Sequence, residues 1–145
     1  MKAVLQRVAH CTVHVKEQRI SSIGKGLLIF LGIEREDTLE KAKPLCKKIA
    51  NLRIFEDEQG KMNLSIMDIS GEIMVVSQFT LLADTQKGNR PSFIKAAPPE
   101  IAKPLIEEFC EQLQGYGLLV KQGLFGAHMQ VELLNDGPVT IWLEH

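Results

Sequence analysis

The sequence predicts an α+β fold: a mainly antiparallel sheet or open β-barrel with two flanking helices. Three observations carry this reading. Strand-like apolar runs recur along most of the 145 residues, helical stripes occur in only two segments, and their order lacks the steady βαβ alternation of a parallel α/β protein. No internal repeat or low-complexity tract divides the chain, so residues 1–145 are expected to form a single domain.

Ala3 to Val15 reads as the first strand, with Val13 and Val15 alternating against Thr12 and His14, and Ser21 to Gly26 breaks the pattern. Leu27-Leu28-Ile29-Phe30-Leu31 is apolar throughout, as a buried central strand would be. Asp37, followed three residues later by Glu40, resembles a capping box, and Leu39, Ala42, Cys46 and Ile49 continue as a helical stripe. Pro44 argues for a kink or a late start there. Leu52 to Phe55 reads as a short strand, and Glu56-Asp57-Glu58-Gln59-Gly60-Lys61 as a charged, solvated turn with no chemistry assigned. Ile73 to Val76 is a further strand, and Ala83 to Pro99 is a long polar segment of the kind that is usually functional or disordered. A second helix is expected from near Pro104, turning Leu105, Ile106, Phe109 and Leu113 inward and ending at Gly115 or Gly117. Strands at Leu118 to Lys121, Met129 to Leu134 and Val139 to Leu143 complete the chain, with Met129, Val131 and Leu133 on one face.

Composition narrows the function. The formal net charge of -1 and pI near 6.4 exclude a generally basic nucleic-acid coat, so any RNA contact must be focal. Cys11, Cys46 and Cys110 have neither the pairing of a disulfide scaffold nor the spacing of a zinc site, which points to a reducing compartment and to no metal. Met1 to Arg7 lacks the apolar core of a signal peptide, and no run approaches eighteen apolar residues. The expectation is a cytoplasmic protein without a membrane partner.

Two segments stand out chemically. In Ser77-Gln78-Phe79-Thr80-Leu81, if the strand through Val76 continues, Ser77, Phe79 and Leu81 share one face while Gln78 and Thr80 share the other. Hydroxyls, an amide and an aromatic plane suit a polar substrate and a stacked base, but a threonine hydroxyl is a weak nucleophile without a base. No histidine is obviously that base: His10 and His14 flank a strand, His128 adjoins Met129 and His145 is terminal, and none matches an HExxH or Cys/His pattern. Gly24-Lys25-Gly26 and Lys87-Gly88-Asn89-Arg90 lack a P-loop frame, which argues against an NTPase. Lys87, Arg90 and Lys95 make the loop after Thr80 basic, either merely solvated or able to engage phosphates. In Asn135-Asp136-Gly137-Pro138-Val139-Thr140, Gly137 and Pro138 belong in a turn, read first as an ordinary hairpin between two strands. The X-Pro bond also has access to the cis form at a cost of about 0.5–1 kcal/mol, which would point two carbonyls in one direction.

Taken in order, Leu5-Gln6-Arg7-Val8, Leu52-Arg53-Ile54-Phe55, Ser77-Gln78-Phe79-Thr80-Leu81-Leu82-Ala83-Asp84, Arg90-Pro91-Ser92-Phe93, Gly123-Leu124-Phe125-Gly126-Ala127 and Asn135-Asp136-Gly137-Pro138-Val139-Thr140 resemble the D-aminoacyl-tRNA deacylases, also called D-tyrosyl-tRNA deacylases. The likeness runs nearly end to end. Two departures stand outside the motifs: His128, where family members often carry an acidic residue, and Asn89, where a basic one is common.

The resemblance implies the D-tyrosyl-tRNA deacylase-like fold and a homodimer that hydrolyses the ester between a D-amino acid and the 3′-terminal adenosine of tRNA, with no cofactor, no metal and no DNA partner. It implies that Ser77, Gln78, Phe79 and Thr80 form the catalytic stretch. It also implies that a cis Gly137-Pro138 reaches into the partner's pocket to reject L-amino acids, that glycyl-tRNA slips through, that Arg7 braces the Gly-Pro turn and that Met129 packs beside it. For hydrolysis, activation of water by the ribose 2′-OH is favoured over a Thr80 nucleophile, because the sequence supplies no evident base. The rival readings are a non-catalytic RNA-binding module, a threonine-dependent esterase or peptidase, and a proofreading domain attached to a tRNA synthetase.

Overall fold

The computed structural model describes residues 1–145. Its long first strand, β1 (Lys2–Val15), turns back through Lys16 and Glu17 into β2 (Gln18–Ile23) and β3 (Gly26–Gly32). Lys16 and Glu17 take φ of 48° and 66°, the left-handed conformation that a two-residue hairpin needs to match the twist of its strands. β2 and β3 lie along one edge of β1 in a continuing register, Cys11 opposite Ile23 and Val8 opposite Gly26. The other edge of β1 pairs antiparallel with β8 (Gln130–Glu144).

From β3 the sheet continues in parallel through β6 (Glu72–Ser77) and β7 (Leu119–Gln122), after a separate short hairpin of β4 (Phe55–Glu56) and β5 (Met62–Leu64). The sheet is therefore mixed, antiparallel around β1 and parallel beyond β3. It curls until β2 and β7 meet through side chains. The Ser21 hydroxyl donates to the Gln122 carbonyl at 2.8 Å, and the Lys121 ammonium to the Ser22 carbonyl at 2.6 Å, leaving a barrel nearly closed.

The unbroken apolar run in β3 is explained by burial on both of its faces. Leu27, Ile29 and Leu31 join the core beneath the helices, whereas Leu28, with Met74 and Val76 of β6, packs inside the barrel against Val8, Cys11 and Val13. Two helices, α1 (Leu39–Asn51) and α2 (Pro99–Gln114), cover the outer face. They bury Leu45, Cys46 and Ile49 from one and Leu105, Phe109 and Leu113 from the other. No helix is long and apolar enough to cross a membrane.

Several local expectations are corrected. Asp37 does not cap α1: it is buried and accepts from the Met1 ammonium at 2.8 Å and the Glu34 N–H at 2.6 Å, while Thr38 occupies the cap position. α1 starts at Leu39 and runs through Pro44, whose exposed position leaves the carbonyl it cannot bond facing water. α2 begins at Pro99, where a missing N–H costs the helix nothing, and not near Pro104, which lies inside it. The strand expected over Leu52 to Phe55 shrinks to Phe55–Glu56. The polar loop after Leu82 is tied down by bridges between Asp84 and Ser92 and between Glu34 and Ala96.

All three cysteines are free and buried. Burial pushes the Cys11 thiol up to about 11 and the Cys46 and Cys110 thiols up to about 12, with Cys46 adding to the effect on Cys110. A raised pKa keeps a thiol protonated and unreactive well above neutral pH. In the native protein at pH 8, a colorimetric thiol reagent is expected to find none of the three cysteines within minutes, and all three after unfolding in guanidinium. A fast-reacting thiol in the native state would contradict this packing.

Candidate active site

β3 and β6 end side by side, with Ser77 opposite Leu31. One residue on, the Gln78 N–H donates to the Leu31 carbonyl at 2.8 Å, and the chain then enters a single 3-10 turn, Phe79–Leu82. The strand therefore stops at Ser77, and the face-sharing expected of Ser77, Phe79 and Leu81 against Gln78 and Thr80 does not form. The turn packs closely on the end of β3. Gly32 leaves room for the turn: a Cβ there would lie 3.0 Å from the Gln78 carbonyl oxygen and 3.2 Å from the Leu81 Cβ.

The turn leaves donors free. The N–H groups of Phe79 and Thr80, first in the turn, have no backbone acceptor. The Gln78 side-chain amide donates to the Thr80 hydroxyl oxygen, which fixes both side chains. Phe79 is exposed and its ring meets the Phe93 ring edge-on, centroids 5.0 Å apart at 71°.

Ser77, Gln78 and Phe79 rim a cavity of about 580 Å³, and Met129 lines its inner wall with Ile106 and Phe125. No ionisable side chain is among its lining residues. Thr80 sits just outside this lining, exposed. Met129 is half-buried, and its sulfur accepts from the Leu124 N–H at 3.3 Å. Such a site cannot run general acid–base chemistry from its own walls; what it offers is an apolar enclosure, oriented neutral polar groups and two unpaired amides.

The second predicted segment is not a hairpin turn. β8 is continuous, and between Gln6 and Val8 of β1 its register advances from Thr140 to Asn135, so that Arg7 stands opposite a bulge formed by Asp136 to Val139. Gly137 has φ of 152°, and a Cβ there would lie 2.6 Å from the Val139 nitrogen, so glycine is the residue that fits. The Gly137-Pro138 peptide bond is cis.

Two side chains hold the bulge. Arg7, only 4% exposed, donates from Nε to the Asp136 carbonyl at 2.7 Å and from Nη1 to the Ile54 carbonyl at 2.7 Å. Asn135 clamps across the base, its Oδ1 accepting from the Val139 N–H at 2.9 Å and its Nδ2 donating to the Val139 carbonyl at 3.2 Å. Gly137 and Pro138 themselves are exposed, and neither lines the cavity of its own chain. The chain thus gathers Ser77, Gln78, Phe79 and Met129 at one place, and Arg7 with Gly137 and Pro138 at another.

The sequence profile of the D-Tyr-tRNA(Tyr) deacylase family matches residues 4–144. The chain belongs to this family of hydrolases. It is 59% identical over 145 residues to a D-aminoacyl-tRNA deacylase of Bacteroides thetaiotaomicron, covering 99% of this chain and 97% of that one. A D-aminoacyl-tRNA deacylase of Thermosipho africanus is 54% identical over 144 residues, with 99% and 97% covered. Among solved structures, one named c-Myc DNA Unwinding Element Binding Protein superposes with a TM-score of 0.94 at 49% identity, covering 100% of this chain and 99% of that one. A probable eukaryotic D-amino acid tRNA deacylase shares the fold alone, with a TM-score of 0.83 at 16% identity over 98% of this chain and 97% of that one.

Sequence reasoning missed Asn135 as the clamp of the bulge and Phe93 as the partner of Phe79. The first left a trace, since an Asn next to a turn commonly bonds backbone a few residues on. The second left none, because nothing in a loop sequence says which ring it will meet. Replacing Asn135 with Ala removes both bonds to Val139 and leaves a half-buried N–H without its acceptor. Urea denaturation is expected to show a loss of about 1–2 kcal/mol; a loss near zero would mean that Arg7 alone holds the bulge.

Proposed function

We propose that this chain hydrolyses the ester of D-aminoacyl-tRNA, and of glycyl-tRNA, releasing the amino acid and free tRNA while sparing L-aminoacyl-tRNA. The observation that carries the reading is the pairing of a cavity lined without ionisable groups with two free amides beside it, that of Phe79 at the rim and that of Thr80 just outside. The aminoacyl ester enters this cavity with the terminal adenosine near the Phe79 and Phe93 rings, and the Phe79 and Thr80 N–H groups receive the oxyanion of the tetrahedral intermediate.

With no base on the cavity wall, water is activated by the substrate. The 2′-OH of the terminal ribose lies next to the ester, accepts a proton from the attacking water as the new C–O bond forms, and passes a proton to the 3′-oxygen as the ester C–O bond breaks. Thr80, held by the Gln78 amide, positions and is not acylated. Ser77 and Gln78 fix the geometry of the rim.

Chirality is selected by fixed main chain. L and D esters have the same composition, so only an obstacle rigid in space separates them. The carbonyls of Gly137 and Pro138 serve as that obstacle, clasping the α-amino side of the substrate so that an L side chain collides; glycine has nothing to collide. Because these residues stand outside their own chain's cavity, the chain works as a homodimer, each bulge completing the partner's site. Duplex DNA has no part in this reading, and the protein acts in the cytoplasm on tRNA, with the loop cations Lys87, Arg90 and Lys95 beside the phosphates.

The mechanism is tested with D-tyrosyl-tRNA. Thr80→Ala is expected to keep kcat within about tenfold of wild type, while a substrate ending in 2′-deoxyadenosine loses at least about a hundredfold, the range of a general acid–base contribution. Complete loss in a folded Thr80→Ala protein that still binds tRNA, or full activity on the 2′-deoxy substrate, would contradict it. Excess duplex DNA added to the same assay is expected to leave the rate unchanged.

A further inference from the structure

The charged turn after Phe55 looks in sequence like a solvated loop, yet it abuts Arg7, the one lysine or arginine that the fold buries. The Arg7 side chain is 5% exposed and its guanidinium faces acceptors from two directions. From the bulge come the Asp136 carbonyl at 2.7 Å and the Asp136 carboxylate at 3.6 Å. From the β4–β5 hairpin and the residue before it come the Ile54 carbonyl at 2.7 Å and the Glu56 carboxylate at 3.6 Å. We propose that the β4–β5 hairpin is a specificity-determining element, with Glu56 a positioning residue that sets the place of Gly137-Pro138 through Arg7. This rests on the chiral role given to Gly137-Pro138 above.

The coupling is mechanical. A guanidinium is a rigid planar fork, so fixing one side fixes the direction of the other. Asp136, the residue before Gly137, can shift only if Arg7 follows, and Arg7 can follow only by leaving the Ile54 carbonyl without its donor and weakening its pairing with Glu56. The hairpin is itself braced. The Asp57 carboxylate accepts from the Gln59 and Lys61 N–H groups at 2.8 and 3.0 Å and from the Asn63 amide at 2.7 Å. Arg53 donates to the Asn63 carbonyl at 2.7 Å and to its Oδ1 at 2.9 Å. The Asn63 amide, followed by the Lys61 N–H, holds the Asp57 carboxyl below the ordinary carboxylate range, so this brace is intact at neutral pH.

A steric sieve responds to displacements that barely affect catalysis. Moving two carbonyls by a fraction of an ångström opens space for an L side chain while the Phe79 and Thr80 amides stay in place. Weakening the hairpin's hold on Arg7 is therefore expected to lower selectivity and spare the rate on the D ester.

The test compares kcat/KM for D-tyrosyl-tRNA and L-tyrosyl-tRNA in wild type, Glu56→Asp, Glu56→Gln and Glu56→Lys. The Glu56 side chain is 55% exposed, so none of the variants disturbs the core, and thermal melts check this. The D ester is expected to be cleaved within about twofold of wild type throughout. The ratio of D to L cleavage falls about fivefold in Glu56→Gln, the scale of an exposed ion pair, falls further in Glu56→Lys and is largely kept in Glu56→Asp. An unchanged ratio in Glu56→Lys overturns the inference, as does an equal fall of both rates together with the melting temperature, the mark of a merely structural role. Wild-type protein that cleaves neither ester, or both alike, overturns the proposed function itself, and that result needs no variant.

Discussion

A buried guanidinium must be given acceptors, and Arg7 is the charge around which this structure is arranged. Left unpaired it would cost several kcal/mol. It is satisfied only because β8 departs from ladder pairing opposite it, turning the Asp136 carbonyl inward, and because the chain after α1 brings up the Ile54 carbonyl. The same departure throws Gly137 and Pro138 outward. The bulge is thus not an independent ornament of β8; the need to pair one cation on β1 and the Asn135 clamp on β8 define it together.

The cavity follows a different logic that complements the first. Its walls are core residues that stop short of filling the space between the ends of β3 and β6, α2 and the Gly123–Met129 segment. A site without ionisable groups owes its chemistry to position: free backbone N–H groups at a turn, whose place is set by Gly32 beneath them, cost no reorganisation when charge develops on a carbonyl oxygen. Backbone donors and backbone carbonyls carry no side-chain identity. A surface built from them suits the reaction proposed above, in which the substrate brings its own proton relay and is judged by hand and not by side chain.

Much of the fold was legible in the sequence. The double-sided burial of Leu27 to Leu31, the helical stripes through Cys46 and Phe109, and the strands at both termini follow from periodicity, which reports burial directly. Long-range geometry was not. The parallel pairing of β6 and β7 depends on which elements meet, and the continuity of β8 through Gly137-Pro138 depends on Arg7, distant in sequence. Asp37 was misread because a carboxylate ahead of a helix looks like a cap until the Met1 ammonium is seen beside it. The motif Ser77 to Leu81 is visible in the sequence but its shape is not: the strand pattern through Val76 gives no sign of the 3-10 turn that follows or of its close contact with Gly32, distant in sequence. The turn at Glu56 to Lys61 gave no hint of its contact with Arg7.

The central claim is that this site hydrolyses one mirror image of an ester and leaves the other. The most direct measurement is a time course of amino acid release from matched D-tyrosyl-tRNA and L-tyrosyl-tRNA with purified wild-type protein. The account predicts rapid loss of the D ester while the L ester decays at its uncatalysed rate. Equal cleavage of both, or binding of tRNA without cleavage of either, would contradict it.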